Sequence, residues 1–282
     1  LEQLVAGHEV GLGVQLDEHA GHAFAVAGAE LCGVAVDGEG LNTAELARLG
    51  RCRLAYVTPS HQYPSGVTLS LARRLELLAW AERRDGWIVE DDFDSELRHV
   101  GAPLPALASL DEKHTILLGT FSSLLTPALG CGYLVVPPAL VHSFAQQRRA
   151  TGQPVPAIVQ EAVAGYLSTG ALRRRTQRMR QVYRRRRRTV IDVLGSLPGT
   201  TLQPIDGGLH AVLVFNGSEE DVVQRCRQEG VGVTPLSTYW GSNDAEAAGI
   251  VLGFGSHNDS TLVCALKIIA SAVTEHSRTP PR

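Results

Sequence analysis

What most constrains this chain is a set of short, continuously apolar runs separated by turns and helical segments. Leu54 to Thr58 is such a run and ends at a proline, the signature of a strand buried on both faces. Trp87-Ile88-Val89, Thr115 to Leu118 and Gly132 to Val136 repeat the pattern. Between the first two runs, Leu69 to Asp85 carries apolar residues at helical spacing, with Leu71, Leu75, Leu77, Leu78 and Ala81 on one side. A β-α-β alternation of this kind predicts an α/β fold: a mostly parallel open sheet covered by helices.

Local signals refine this outline. Ala23 to Val36 alternates small and apolar residues up to Asp37-Gly38-Glu39-Gly40, which predicts a strand followed by a turn. Leu41 to Leu49 predicts a helix capped by Asn42 or Thr43, with Glu45 in its first turn. Gly86 is expected to close the 69–85 helix. Pro156 to about Leu194 is helical, charged and linking. From Thr201 the order becomes strand, helix, strand, strand, helix, which predicts a small C-terminal α+β domain. The expected division is 1–155, 156–195 and 196–282.

The 282 residues, 44% of them hydrophobic, suffice for one large core or two unequal ones. A formal charge of -3 selects no polyionic partner. No apolar stretch of membrane-spanning length and no leader pattern stands out, so the expected localisation is cytoplasmic. Five cysteines, Cys32, Cys52, Cys131, Cys226 and Cys264, lack paired spacing, against a disulfide framework or zinc ribbon. Arginines number 24 and lysines two, Lys113 and Lys267. The dense stretch Arg173 to Arg188 reads as a solvated or interface helix, and nucleic acid is not expected as a partner. His8, Glu18, His19 and His22 form a weak divalent-metal pattern, and no metal is expected.

Three motifs point further: Tyr56-Val57-Thr58-Pro59-Ser60-His61-Gln62-Tyr63-Pro64-Ser65-Gly66, Ile88-Val89-Glu90-Asp91-Asp92-Phe93-Asp94-Ser95-Glu96, and Gly119-Thr120-Phe121-Ser122-Ser123 running on to Gly130. Together they resemble the aminotransferase-like domain of MocR-type proteins, of the fold-type I architecture built around pyridoxal phosphate. The resemblance covers nearly the whole chain. It implies a further stretch and a DNA-binding winged helix ahead of the first residue given.

The resemblance also implies site roles. Asp91 matches the acid that pairs with the pyridine nitrogen, and its apolar strand should place it at the carboxyl edge of the sheet. His61 and Gln62 match a pair over the ring face and near the ring oxygen, with Tyr63 beside them. Thr120 and Ser122 match hydroxyls near the phosphate. Ser123 stands where the resemblance implies the Schiff-base lysine, and a hydroxyl cannot form an imine. Phe93 stands for a tyrosine, and Gly130 for a phosphate-binding arginine. Asp17 to His22 lacks the aromatic residue and Gly-Tyr-Pro turn of the resemblance, and no arginine appears in Gly249 to Phe254.

The expected chain is therefore a degenerate, dimeric aminotransferase-like protein with no covalently bound cofactor; non-covalent pyridoxal phosphate is the weaker option. Its pocket is expected to bind and transform a small amino-acid-derived molecule, with His61, Asp91 and Ser123 as acid, base or orienting groups. The alternative is a non-catalytic ligand sensor or partner subunit.

Overall fold

A computed structural model describes residues 12–13, 18–102, 104–152, 155–239 and 248–276. The chain divides into two compact units. The first comprises Leu1–Tyr63, Val67–Glu96 and Ala102–Arg178; the second comprises Pro64–Gly66, Leu97–Gly101 and Met179–Arg282.

The first unit begins with β1 (Leu12–Gly13), α1 (Glu18–Val26) and β2 (Leu31–Cys32). A hairpin follows, β3 (Val36–Asp37) and β4 (Gly40–Leu41), and then α2 (Thr43–Arg48). The strand expected over 23–36 is thus broken: helix to Val26, then turn and irregular backbone, with strand only at Leu31–Cys32 and from Val36. Alanine-rich small residues satisfy either period, and here Phe24 is buried from a helix rather than from a strand. The turn at 37–40 and the Asn42 cap stand as expected: the Asn42 side chain accepts from the Glu45 amide.

β5 (Leu54–Val57), α3 (Leu71–Arg84) and β6 (Trp87–Asp92) build the centre of this unit. β7 (Thr115–Thr120) and β8 (Gly132–Val135) extend it, with the short α4 (Leu107–Leu110) between β6 and β7. Among the described residues the six-stranded order is β2-β1-β5-β6-β7-β8, parallel except for the antiparallel β7–β8 pair. Side chains alternate across the strands. Ala55, Val57 and Ile88 pack on one face with Leu77, Trp80 and Ala81 of α3. Leu54, Tyr56, Val89 and Ile116 pack on the other with Phe24.

α3 corrects the expected stripe. Leu71 and Leu75 are 50% and 55% exposed, whereas Arg74 is fully buried. The helix ends with Asp85, not Gly86, in the left-handed conformation at φ 47°. Gly86 is required for close approach instead: a Cβ there would stand 2.9 Å from the Arg53 carbonyl oxygen. α5 (Val141–Thr151), α6 (Ala157–Ser168) and α7 (Ala171–Leu194) follow, and the division between the units falls within α7.

The second unit adds β9 (Thr200–Leu202), β10 (His210–Phe215), α8 (Glu219–Gln228), β11 (Thr234–Pro235), β12 (Ala248–Gly253) and α9 (Asp259–His276). Among the described residues its four-stranded sheet has the order β11-β12-β10-β9 and is antiparallel. The strand expected at Val231-Gly232-Val233 begins three residues later. Leu213, Phe215, Ile250 and Leu252 pack against Val222 of α8 and Leu266 and Ile269 of α9. This is an apolar two-layer α+β unit.

Candidate functional site

Strand alternation places two neighbouring acids of β6 on opposite faces. Asp91 follows Val89 on the face of Tyr56, and the Tyr56 hydroxyl donates to its Oδ2. The register pairs Asp91 with Leu118 of β7, at the carboxyl end of both strands, as expected. Glu90 points to the α3 face, is 1% exposed, and accepts from the Leu107 and Ala108 amides at 2.9 and 3.0 Å. Burial pushes its carboxyl above the usual glutamate range, against the two amides and the Arg74 charge. Asp92 instead organises its own turn, accepting from the Ser95 amide and hydroxyl at 3.1 and 2.7 Å.

The 58–69 loop carries the next group. His61 and Gln62 are both buried, at 6% and 5% exposure. His61 Nδ1 lies 3.3 Å from Asp94 Oδ2, so the imidazole is oriented by an acid two residues beyond β6. The Gln62 amide donates to the Val67 carbonyl at 2.8 Å. Tyr63 is fixed by its backbone, whose amide donates to Thr58 Oγ1 at 3.4 Å. Phe93 is 51% exposed, unlike the buried His61 and Gln62.

The turn after β7 holds the third group. Thr120 Oγ1 accepts from the Ser122 amide at 3.0 Å, so that hydroxyl shapes the turn itself. Ser123 Oγ is buried and has no hydrogen-bond partner. A buried hydroxyl without a partner costs free energy, which a ligand atom bonded to it would recover. Arg175 holds the turn in place, donating from Nε and Nη2 to the Leu124 and Leu125 carbonyls at 2.7 and 3.2 Å. Gly130 sits at φ 52° and donates to the Pro127 carbonyl at 3.0 Å. Its left-handed backbone suits glycine and would strain an arginine.

Sequence reading missed several residues here. Tyr56 is hidden inside an apolar run, and Asp94 is one of several acids in a row with nothing local to single it out. Tyr133 lies so close over Gly119 that an added Cβ would meet its Cζ at 2.1 Å. Burial raises the Tyr133 hydroxyl pKa, and the Glu96 and Asp92 carboxylates add to the shift. The readable signal for Arg74 was its spacing from Leu77 and Ala81, three and seven residues on.

The arginine stretch is only partly a solvated face. Arg185 and Arg186 pair with Asp259 at 2.7 and 3.0 Å, and Arg187 donates to the Ile205 carbonyl. His8 and the side chains of Glu18, His19 and His22 lie outside the described residues. Among the described residues no helix is long and apolar enough to cross a membrane.

The aminotransferase class I and II model matches residues 46–242. Among curated relatives, the HTH-type pyridoxine biosynthesis transcriptional regulator PdxR of Corynebacterium glutamicum is 55% identical over 218 residues, 77% of this chain and 48% of its own. The probable rhizopine catabolism regulatory protein MocR of Rhizobium meliloti is 34% identical over 251 residues, 87% of this chain and 50% of its own. The chain thus spans about half the length of these relatives. The crystal structure of Pyrococcus horikoshii kynurenine aminotransferase matches 97% of this chain and 71% of its own, with a TM-score of 0.87 at 23% identity. That likeness shows the fold.

These relatives correct one expectation. Nucleic acid was not expected as a partner, yet a relative at 55% identity is named as an HTH-type transcriptional regulator, and helix-turn-helix proteins act on DNA. The near-neutral charge describes only this chain, which spans about half of that relative's length. With the α/β architecture, the matched 46–242 segment and the MocR/PdxR-type relatives in agreement, the chain belongs to the aminotransferase class I and II family.

Proposed function

We propose that this chain is a ligand-sensing domain of a MocR/PdxR-type transcriptional regulator, which binds a small amino-acid- or pyridine-derived molecule at the carboxyl edge of its six-stranded sheet. The single observation that carries this reading is the site itself: an acid held by a phenol, Asp91 with Tyr56 near the end of β6, and a buried unpartnered hydroxyl, Ser123, in the turn after the neighbouring β7. Asp91 would face a cationic nitrogen and Ser123 a polar ligand atom. The name of the C. glutamicum relative, which regulates pyridoxine biosynthesis, supports a pyridine-type ligand.

The residues offer pyridoxal phosphate an acid and hydroxyls, but no amine beside them. Lys113 is exposed in the turn before β7, at the opposite end of that strand from Thr120, and Lys267 is exposed on α9. Covalent attachment to this chain therefore does not fit, and we derive no chemistry through it. Binding without a covalent bond suits a sensor, which must release its ligand. The exposed Leu134 and Val135 of β8 and Ile158 and Leu167 of α6 support association into a homodimer.

A second reading, turnover of the bound molecule, draws on the His61–Asp94 contact, which orients an imidazole as a general base requires.

The test is a titration with pyridoxal phosphate followed by absorbance, borohydride reduction and intact mass. Saturable binding with no reducible adduct, lost in Asp91→Ala, is the expected result. An adduct on a lysine, or unchanged binding in the variant, would sink the proposal.

A further inference from the structure

We propose that Arg74 is a positioning residue for this site, holding the Pro59–Gln62 turn from behind and so setting where His61 and Gln62 stand. Arg74 lies on α3, has no exposed surface, and spends all three guanidinium nitrogens on backbone carbonyls. Nε donates to Leu69 at 3.0 Å, Nη1 to Pro105 at 2.8 Å and Nη2 to Pro59 at 2.8 Å. The Pro59 carbonyl also accepts from the Leu69 amide at 2.9 Å. Both ends of the 59–69 loop thus converge on one planar cation.

Two of the three tethered residues are prolines. They have no N–H, so the carbonyl is the only backbone group by which they can be held. A planar fork meets several carbonyls at once; an ammonium is a single point charge on a flexible stem and cannot reproduce that geometry. Glu90, the neighbour of Asp91, is also buried and accepts from the Leu107 and Ala108 amides just beyond Pro105. Arginine and glutamate together fix the loop of His61 and the strand end of Asp91 to one arrangement. A buried guanidinium is costly unless its donors are satisfied, and here the three carbonyls satisfy them in one geometry.

The binding arm of the test rests on the ligand reading above; the exchange arm does not. In Arg74→Lys the charge remains but the fork is lost. Backbone amide exchange is followed at Gln62, bonded to Val67, and at Leu69, bonded to Pro59, with Trp87 and Ile88 of β6 as references. The expected result is exchange faster by about tenfold or more at Gln62 and Leu69, with the references unchanged. Pyridoxal phosphate, as probe, should bind about tenfold more weakly. Glu90→Gln, which leaves the three carbonyl bonds in place, should leave exchange at Gln62 and Leu69 near the original rate. Should the lysine variant fail to fold, Arg74→Gln combined with Glu90→Gln removes both buried charges together and is read the same way. Unaltered exchange at Gln62 and Leu69, or acceleration shared equally by Trp87 and Ile88, would overturn the proposal. Failure of the unaltered protein to bind the probe would sink the ligand reading and leave the exchange result to decide the role of Arg74.

Discussion

The two units bury different chemistry. Every buried polar or charged side chain among the described residues belongs to the first unit: Thr43, His61, Gln62, Arg74, Glu90, Thr115 and Thr176. The second unit buries Leu213, Phe215, Ile250, Phe254, Leu266 and their neighbours with aliphatic and aromatic contacts, and its Arg185 and Arg186 pair with the half-exposed Asp259. An apolar core is tolerant, because any set of side chains of suitable volume fills it. A buried guanidinium with three carbonyl partners accepts one geometry. The first unit is therefore where loop positions are specified, and those loops carry the candidate site.

The largest effect should come from Arg74→Met, which orphans the Leu69 and Pro105 carbonyls and takes from Pro59 one of its two donors. We expect a loss of about 3–5 kcal/mol in chemical denaturation. Leu213→Ala, in the middle of the second unit's core, should cost about 2–5 kcal/mol through lost transfer energy and the cavity left behind. If the methionine variant proves the milder of the two, the contrast between the units fails.

A pH series sharpens the same contrast. Because burial raises the folded-state pKa of Glu90 above its ordinary value of 4.5, the folded protein takes up this proton more readily than the unfolded chain. Its contribution is fully present below that value and is lost as pH rises through the folded pKa. Relative to Glu90→Gln, the unaltered protein should lose stability as pH rises from about 4.5. Parallel denaturation midpoints across the series would show that Glu90 titrates alike in both states.

The smallest effect should be Ser123→Ala. Its Oγ has no partner to lose, so thermal stability should change by no more than about 0.5 kcal/mol. Binding of pyridoxal phosphate should weaken if that hydroxyl meets the ligand. A large stability loss would instead reveal a partner for the hydroxyl within the fold.

Much of this was readable before the fold. The apolar run at 54–58 became a fully buried strand, and Asp91 lies at the strand end where its sequence placed it. Capping at Asn42 and the turn at 37–40 followed from local chemistry alone. Ala23 to Val36 was misread because small residues fit both periods, and nothing within the segment decides between them. Leu71 and Leu75 share helical spacing with Leu78, yet the face that sinks into the sheet is that of Arg74, Leu77 and Ala81. Hydrophobicity places arginine outside; the nearby Leu69 carbonyl, with those of Pro59 and Pro105 from farther along the chain, placed it inside.

The sequence by itself determined the alternation of strands and helices, the parallel sheet, the family resemblance and the serine at position 123. These depend on periodicity, capping and residue identity, which are local. Tertiary structure alone decided that Tyr56 would hold Asp91, that Asp94 would orient His61, and that Arg74 and Glu90 would be buried behind the site. Each of these joins residues 15 to 35 positions apart, such as Arg74 with Pro59 and Tyr56 with Asp91. Whether a charge can be buried depends on the partners the whole fold delivers to it.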